Sequence, residues 1–231
     1  NLEPVQQGGT VTYTVQVPGA LATKAAGDYE LIYEVYREAQ VGTDAAPIYE
    51  GKKTFSGNSV DLPLEFVKGQ NFVVLFWAQK DGVTAYNTGD LRNVTLGTLT
   101  ANQENYEVFA GMDEVSNCVS SNNGNVELVR PIAQLNIATD AEGLKLGATD
   151  VNLYSSFVTV KGLSTTYNVY NKAVSETLSD VEFSVAAVPA GKLGTTDYTY
   201  VAMNYIGFID ANGTTVNVDF TVKTSEGDIA H

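Results

Sequence analysis

Histidine is almost missing from this sequence: among 231 residues only His231 is one, at the last position. That removes His-based catalytic triads, histidine metal sites and imidazole proton shuttles together. Cysteine is nearly as scarce. Cys118 alone excludes an internal disulfide, and in a Ser/Asn loop with no histidine to activate it, it does not read as a catalytic thiol. Basic residues are few, 13 Lys and Arg against 27 Asp and Glu, for a formal charge of −14. No basic stripe is available to neutralise phosphates, which argues against nucleic acid or an anionic lipid surface as partner. No apolar run approaches the roughly 18–20 residues that cross a bilayer, and no signal peptide opens the chain. A removed export signal would leave no trace, so this says nothing against secretion. Phosphate-cradling glycine loops are missing too, because Gly8, Gly9 and Gly207 lack the strand–turn–helix context.

What is present is alternation. Val11, Tyr13, Val15 and Val17 alternate with threonines and Gln16, the period of a half-buried strand. Residues 29–37, 48–55 and 60–66 repeat the pattern. Pro63 on the outward side of the last marks an edge, since proline has no N–H to give a ladder. Residues 71–79 are apolar on both sides and hold the only tryptophan, Trp77, as suits a central strand covered on both faces. Trp77 is expected in the N-terminal core, flanked by Phe72, Val74 and Phe76. Another strand is expected around 91–99, then a short helix or irregular stretch over 100–109 and a polar loop over 116–125. Further on, strands are expected around 150–154, 157–160, 181–187, 198–209 and 216–222. Asn212-Gly213 between the last two is a hairpin signal, because a type I′ turn needs positive φ at both centres. Only three residues follow the turn at 224–228, too few for a full partner strand, so the C-terminal unit is expected to carry an unpaired edge.

Residues 126–139 organise the rest. Val126 and Leu128 share one side of an extended strand, but beyond Arg130-Pro131 the apolar side passes to Ala133, Leu135 and Ile137. A one-residue slip turns a strand over, so the chain should change sheets here. The fold class read from this is all-β, with two antiparallel β-sandwich domains. The first covers residues 1–125; the second covers 126–231 and begins at or shares the strand 126–139.

No catalytic, cofactor-binding or metal-binding residue is assigned, and no cofactor is expected. Paired carboxylates could act without histidine, as in glycosidases. Yet Asp140 with Glu142 and Asp180 with Glu182 fall in turns and on outward faces, and among 27 acids chance pairs are expected. Residues 210–213 resemble the start of a calcium loop, but the acidic ligands that should follow are missing, and hairpin is the preferred reading. Thirteen tyrosines invite a sugar-stacking reading; most, such as Tyr13, Tyr33 and Tyr200, fall where tyrosine is simply a good strand former. An enzyme is not expected.

Four segments together resemble the fimbrillin-like family, the type V pilus subunits and fimbrial adhesion lipoproteins of Gram-negative gut and oral anaerobes. They are LIYEVY at 31–36, VKGQNFVVLFWAQ at 67–79, ANQENYEVFAG at 101–111 and LVRPIAQLN at 128–136. The C-terminal third resembles the family in character only. The resemblance implies transthyretin-like sandwiches, export to the cell surface, fimbrium or outer membrane, and a lipid anchor in the precursor only. It also implies donor-strand assembly, in which a strand of one subunit fills a groove of the next. No lipobox cysteine precedes Asn1, so the chain reads as a mature or trimmed form. The family's subunits are cleaved after an N-terminal arginine, and since the first arginine, Arg37, lies within a strand, either that cleavage already produced Asn1 or this member is not processed that way. The partners implied are other pilus subunits, with a host or bacterial surface receptor or glycan besides. The alternative is a surface glycan-binding lipoprotein working through an exposed aromatic cleft.

Overall fold

The computed structural model describes residues 8–18, 28–118, 122–194, 196–208 and 215–231. Strands dominate, joined by two single-turn 3-10 segments at Glu104–Tyr106 and Glu142–Leu144. In the first half they are β1 (Gly8–Gln16), β2 (Tyr29–Arg37), β3 (Tyr49–Phe55), β4 (Ser59–Val67), β5 (Phe72–Lys80), β6 (Tyr86–Asn87), β7 (Val94–Leu96), β8 (Val108–Val115) and β9 (Asn122–Glu127). In the second they are β10 (Ile132–Thr139), β11 (Lys145–Leu146), β12 (Thr149–Asp150), β13 (Leu153–Ser164), β14 (Thr166–Tyr167), β15 (Leu178–Glu182), β16 (Ala186–Ala187), β17 (Thr199–Phe208), β18 (Asn217–Thr224) and β19 (Gly227–Ala230).

The first half packs a three-stranded sheet, β4-β1-β9, over a four-stranded one, β3-β2-β5-β8. Alternation decides what each strand buries. Tyr13 and Val15 of β1, with Leu62, Leu64 and Phe66 of β4, point inward. They meet Leu31 and Val35 of β2 and the even-numbered residues of β5 in one cluster. Tyr13 meets Phe76 edge-on at 5.3 Å, and Phe66 lies 4.9 Å from Phe72. Each such side chain, fully withdrawn from water, contributes about 1.5–3 kcal/mol. Pro63 lies opposite Thr12 on the outward face of β4, an edge strand as its proline indicated. The pairing of β1 with β9 is parallel, which corrects the purely antiparallel expectation. The chain between them crosses the whole sandwich, long enough for a parallel return.

Every residue of β5 is buried, as its two-sided apolarity indicated. The expectation for Trp77 needs correcting in one respect. It is fully buried, but period two turns it away from Phe72, Val74 and Phe76. With Val73 and Leu75 it joins a second cluster that includes Val158, Tyr167, Tyr205 and Phe208 of the C-terminal half. One face of the β2–β5 sheet thus closes the N-terminal core, and the other is the floor of a core shared with the rest of the chain.

The phase change at 126–139 is a change of sheet. Val126 and Leu128 are buried in the first cluster, Ile132 in the second. Between them Val129 makes a two-way backbone bridge to Ala110, at 2.8 and 2.9 Å, and Pro131 follows. β10 keeps the expected alternation, with Gln134 and Asn136 exposed and Ala133, Leu135 and Ile137 half-buried.

Four expectations change. Residues 122–125, read as loop, belong to β9, because the edge of β1 supplies the partner that their Asn/Gly composition could not reveal. The strands expected at 150–154 and 157–160 are largely one, β13. β17 and β18 do not form a hairpin: β17 pairs with β10, while β18 pairs with β13 and β19. The turn itself, 210–213, lies outside the described residues. Finally, β18 is paired on both sides, because the four-residue β19 returns along it and His231 continues the ladder through Phe220 at 2.7 and 2.9 Å.

Candidate assembly edge

The C-terminal half sets the two-stranded sheet β10-β17 against the wider sheet β15-β13-β18-β19, in which β16 also pairs with β13. Two strands cannot cover four. β17 lies over β13, where Ser156 Oγ donates to the Val201 carbonyl at 2.9 Å. At the outer edge of β17 stands Asn102, whose Oδ1 accepts from Met203 N–H at 3.0 Å while its Nδ2 donates to Ser156 Oγ at 2.9 Å and to the Ala186 carbonyl. Ala186 is on the β16 side of β13, so β10 must lie on the opposite side, toward β18.

Cover is uneven across that inner face. Val158 on β13 and Val222 on β18 are buried, Phe220 opposite Val158 is half-buried, and Ile229 of β19, opposite Val222, is 56% exposed. Directly paired residues share a face of a sheet, so Ile229 is on the core side and yet uncovered. Among the described residues no strand pairs the other edge of β10. Asn136 stands opposite Met203, whose N–H is turned away to Asn102, so Asn136 turns its own backbone groups outward in a non-hydrogen-bonded pair. The C-terminal half thus keeps the open backbone of β10 with half-buried Leu135 and Ile137 on it, and apolar surface at half-buried Phe220 and exposed Ile229. An unpaired edge is a template for an added strand. The sequence placed such an edge on β18; the structure places it on β10.

Two buried carboxylates hold the surroundings. Glu107 accepts from Tyr29 Oη at 3.0 Å and pairs with Arg130 at the crossing between sheets. The Arg130 guanidinium lies 5.5 Å from the Tyr205 ring, tying the crossing to β17. Burial, followed by the charge of Glu107, pushes the Tyr29 phenol well above its ordinary range. Glu34 accepts from Tyr36 Oη at 2.6 Å and from Leu91 N–H at 3.0 Å. Burial outweighs these hydrogen bonds and raises the Glu34 carboxyl above its ordinary value. These residues fix geometry. Sequence reading missed both, since neither Glu34 nor Glu107 differs in local pattern from a surface glutamate.

The other residues weighed in the sequence are dispersed. Asp140 and Glu142 are exposed in a turn where Asp140 accepts from Gly143 N–H and Glu142 pairs with Lys145 at 3.0 Å. Asp180 is exposed beside Lys161, and Glu182 is exposed at the end of β15. Cys118 is buried in the N-terminal core. Among the described residues no group of three or more His, Cys, Asp or Glu side chains could hold a metal ion. Tyr13 and Tyr200 are buried, while Tyr49, Tyr154 and Tyr198 are about half exposed. No two of those three are in ring contact, so no stacking platform is assembled from them. No described helix is long and apolar enough to cross a membrane.

Residues 3–231 match the model of a family of unknown function, DUF6562. No curated protein matches the chain in sequence. Solved structures do. A candidate adhesin from Bacteroides ovatus superposes with TM-score 0.56 at 11% identity, over 97% of this chain and 76% of that one. A candidate polysaccharide-binding protein from Bacteroides thetaiotaomicron gives 0.56 at 8%, over 96% and 78%. The fimbrial anchor protein Mfa2 from Porphyromonas gingivalis gives 0.55 at 10%, over 94% and 78%. At such identities what is shared is the fold, and it is the fold of the fimbrial and adhesin proteins to which the sequence resemblance pointed.

Proposed function

The chain belongs to the family of unknown function DUF6562, and we propose that it is a structural subunit of a fimbria or cell-surface adhesive assembly that accepts a strand from a neighbour. The observation that carries this reading is that no described strand pairs the second edge of β10, in a half that also leaves Phe220 and Ile229 partly uncovered. Main-chain hydrogen bonds along β10 would supply affinity, and alternate apolar side chains of the incoming strand would cover Leu135, Ile137 and Ile229. In this reading two sandwich domains, 1–125 and 126–231 with the strand 126–139 between them, carry the open edge, and no catalytic, cofactor or metal residue is needed. The partners are other subunits of the assembly, and the place of work is the outside of the cell. The adhesin and fimbrial proteins that share the fold support this.

The test uses the chain on its own cell. Unheated surface extracts, separated in mild detergent and probed for this protein, should show a ladder of multimers that collapses to monomer on boiling. Asn136→Pro removes an outward N–H from the edge of β10 and should leave monomer only. A wild-type chain that runs as monomer in unheated extracts overturns the reading.

A further inference from the structure

Residues 91–107 belong by chain order to the N-terminal half, since they lie between β5 and β8, neighbours in its four-stranded sheet. They stay tied to that half, where β7 pairs with β6, Gly97 N–H donates to the Ala85 carbonyl and Leu91 N–H donates to Glu34, and a second set of hydrogen bonds runs to the C-terminal half. The Leu91 carbonyl accepts from Val169 N–H at 2.9 Å, β7 pairs with β14, and Leu96 N–H donates to the Thr165 carbonyl at 3.0 Å. Further along, Ala101 N–H donates to the Ser184 carbonyl at 2.8 Å, and Ser184 N–H returns to the Leu99 carbonyl at 3.0 Å. Asn102 then spends its whole side chain across the divide, on Ser156, Ala186 and Met203, and its own N–H donates to Asn204 Oδ1 at 2.9 Å. It does so with φ at +59°, a left-handed conformation that asparagine tolerates better than most residues. Beneath this segment Trp77 meets Tyr86 at 5.5 Å and Phe208 at 6.4 Å, and Phe208 stacks on Tyr167 at 5.5 Å.

We infer that residues 91–107 are a splint that makes the two sandwiches one load-bearing body, with Asn102 as its positioning residue. Two domains joined only by a linker are expected to move relative to each other, and a large apolar interface removes that freedom. Here the halves are joined two ways, covalently through 128–132 and by the splint with the aromatic cluster under it, and the Glu107–Arg130 pair ties one to the other. Force entering at the first sandwich therefore reaches the second through a broad interface, bypassing the single strand at Arg130-Pro131. The inference rests on the subunit reading for its purpose, but not for its geometry.

The test uses the purified monomer, so its outcome is independent of whether multimers form. Wild-type protein should unfold in one calorimetric transition whose van't Hoff and calorimetric enthalpies agree, with Trp77 fluorescence changing at the same midpoint. Two resolved transitions in the wild type would overturn the inference. Asn102→Gly keeps the left-handed backbone accessible and removes only the side-chain bonds. It should lower the midpoint by roughly 5–10 °C and broaden or split the transition. A variant with an unchanged single transition would remove Asn102 from the role. Should that variant not accumulate, pulling single wild-type molecules by their termini decides the matter: one unfolding step supports the splint, and two successive steps overturn it.

Discussion

The two halves of this molecule solve the same packing problem unequally. In the first, three strands lie over four, and the side chains between them, from Tyr13 to Phe76, are withdrawn from water. In the second, two strands face a wider sheet whose inner face is covered unevenly: Val158 and Val222 are buried, Phe220 is half-buried and Ile229 is exposed. Among the described residues nine large apolar side chains are exposed; two precede Val129 and seven lie at or beyond it. A closed sandwich is finished when its chain is folded. An open one keeps apolar surface and unpaired backbone groups in reserve, at a cost in solubility, and that cost is offset when another strand arrives. In the subunit reading proposed above, the first half supplies stability and the second association.

The largest effect that could break this contrast is expected at the shared core. Trp77→Ala deletes a fully buried side chain between the halves and should cost about 3–5 kcal/mol in urea denaturation. A loss below about 1 kcal/mol would mean that the second core is too loose to couple the halves. Next comes the crossing. Arg130→Ala removes the ion-pair partner of Glu107, almost wholly buried, and should cost about 3 kcal/mol. Arg130→Ala at wild-type stability would show the junction to be held by packing alone.

The pH dependence sharpens the contrast from the N-terminal side. Burial raises the folded-state carboxyl of Glu34 above its ordinary value of 4.5. Glu34 thus favours the folded state below pH 4.5, where the carboxyl is neutral folded or unfolded, and that contribution is lost as pH rises through the folded-state value. Glu34→Gln keeps an oxygen for Leu91 N–H and cannot ionise. The melting temperature of the variant should therefore gain on that of the wild type as pH is raised from 4 toward 8. Parallel curves would place the cost of burying Glu34 elsewhere. The smallest effect is expected at exposed Ile229. Ile229→Lys alters a side chain already in water, so monomer stability should stay within about 0.5 kcal/mol, while multimers disappear from surface extracts. A variant that destabilises the monomer by several times that amount would show Ile229 to be part of a closed core after all.

Much of this fold was legible in the chain because strand alternation is a local code. β1, β2, β4 and β5 lie where their periodicity places them, Pro63 marks an edge, and the phase change about Arg130-Pro131 is a change of sheet. Legibility fails where pairing is decided at long range. Residues 122–125 have no strand-forming composition, and only the waiting edge of β1 orders them. The Asn212-Gly213 signal was read as a hairpin, but its flanking strands find other partners, β10 for one and β13 for the other. Glu34 and Glu107 carry no mark of burial, because what buries them arrives from residues 91 and 130.

The sequence by itself determined that the protein is built of strands, that its chemistry cannot rest on histidine or disulfides, and which side of each long strand is apolar. Those properties reside in residue types and their spacing along the chain. Tertiary structure alone decided which edges close and which stay open. A short C-terminal return covers β18, Asn102 takes up the Met203 N–H at the outer edge of β17, and among the described residues no strand pairs the other side of β10. The reason is that a strand's apolar face is a property of its own residues, whereas the pairing of its backbone depends on which other segment of the chain comes to lie beside it.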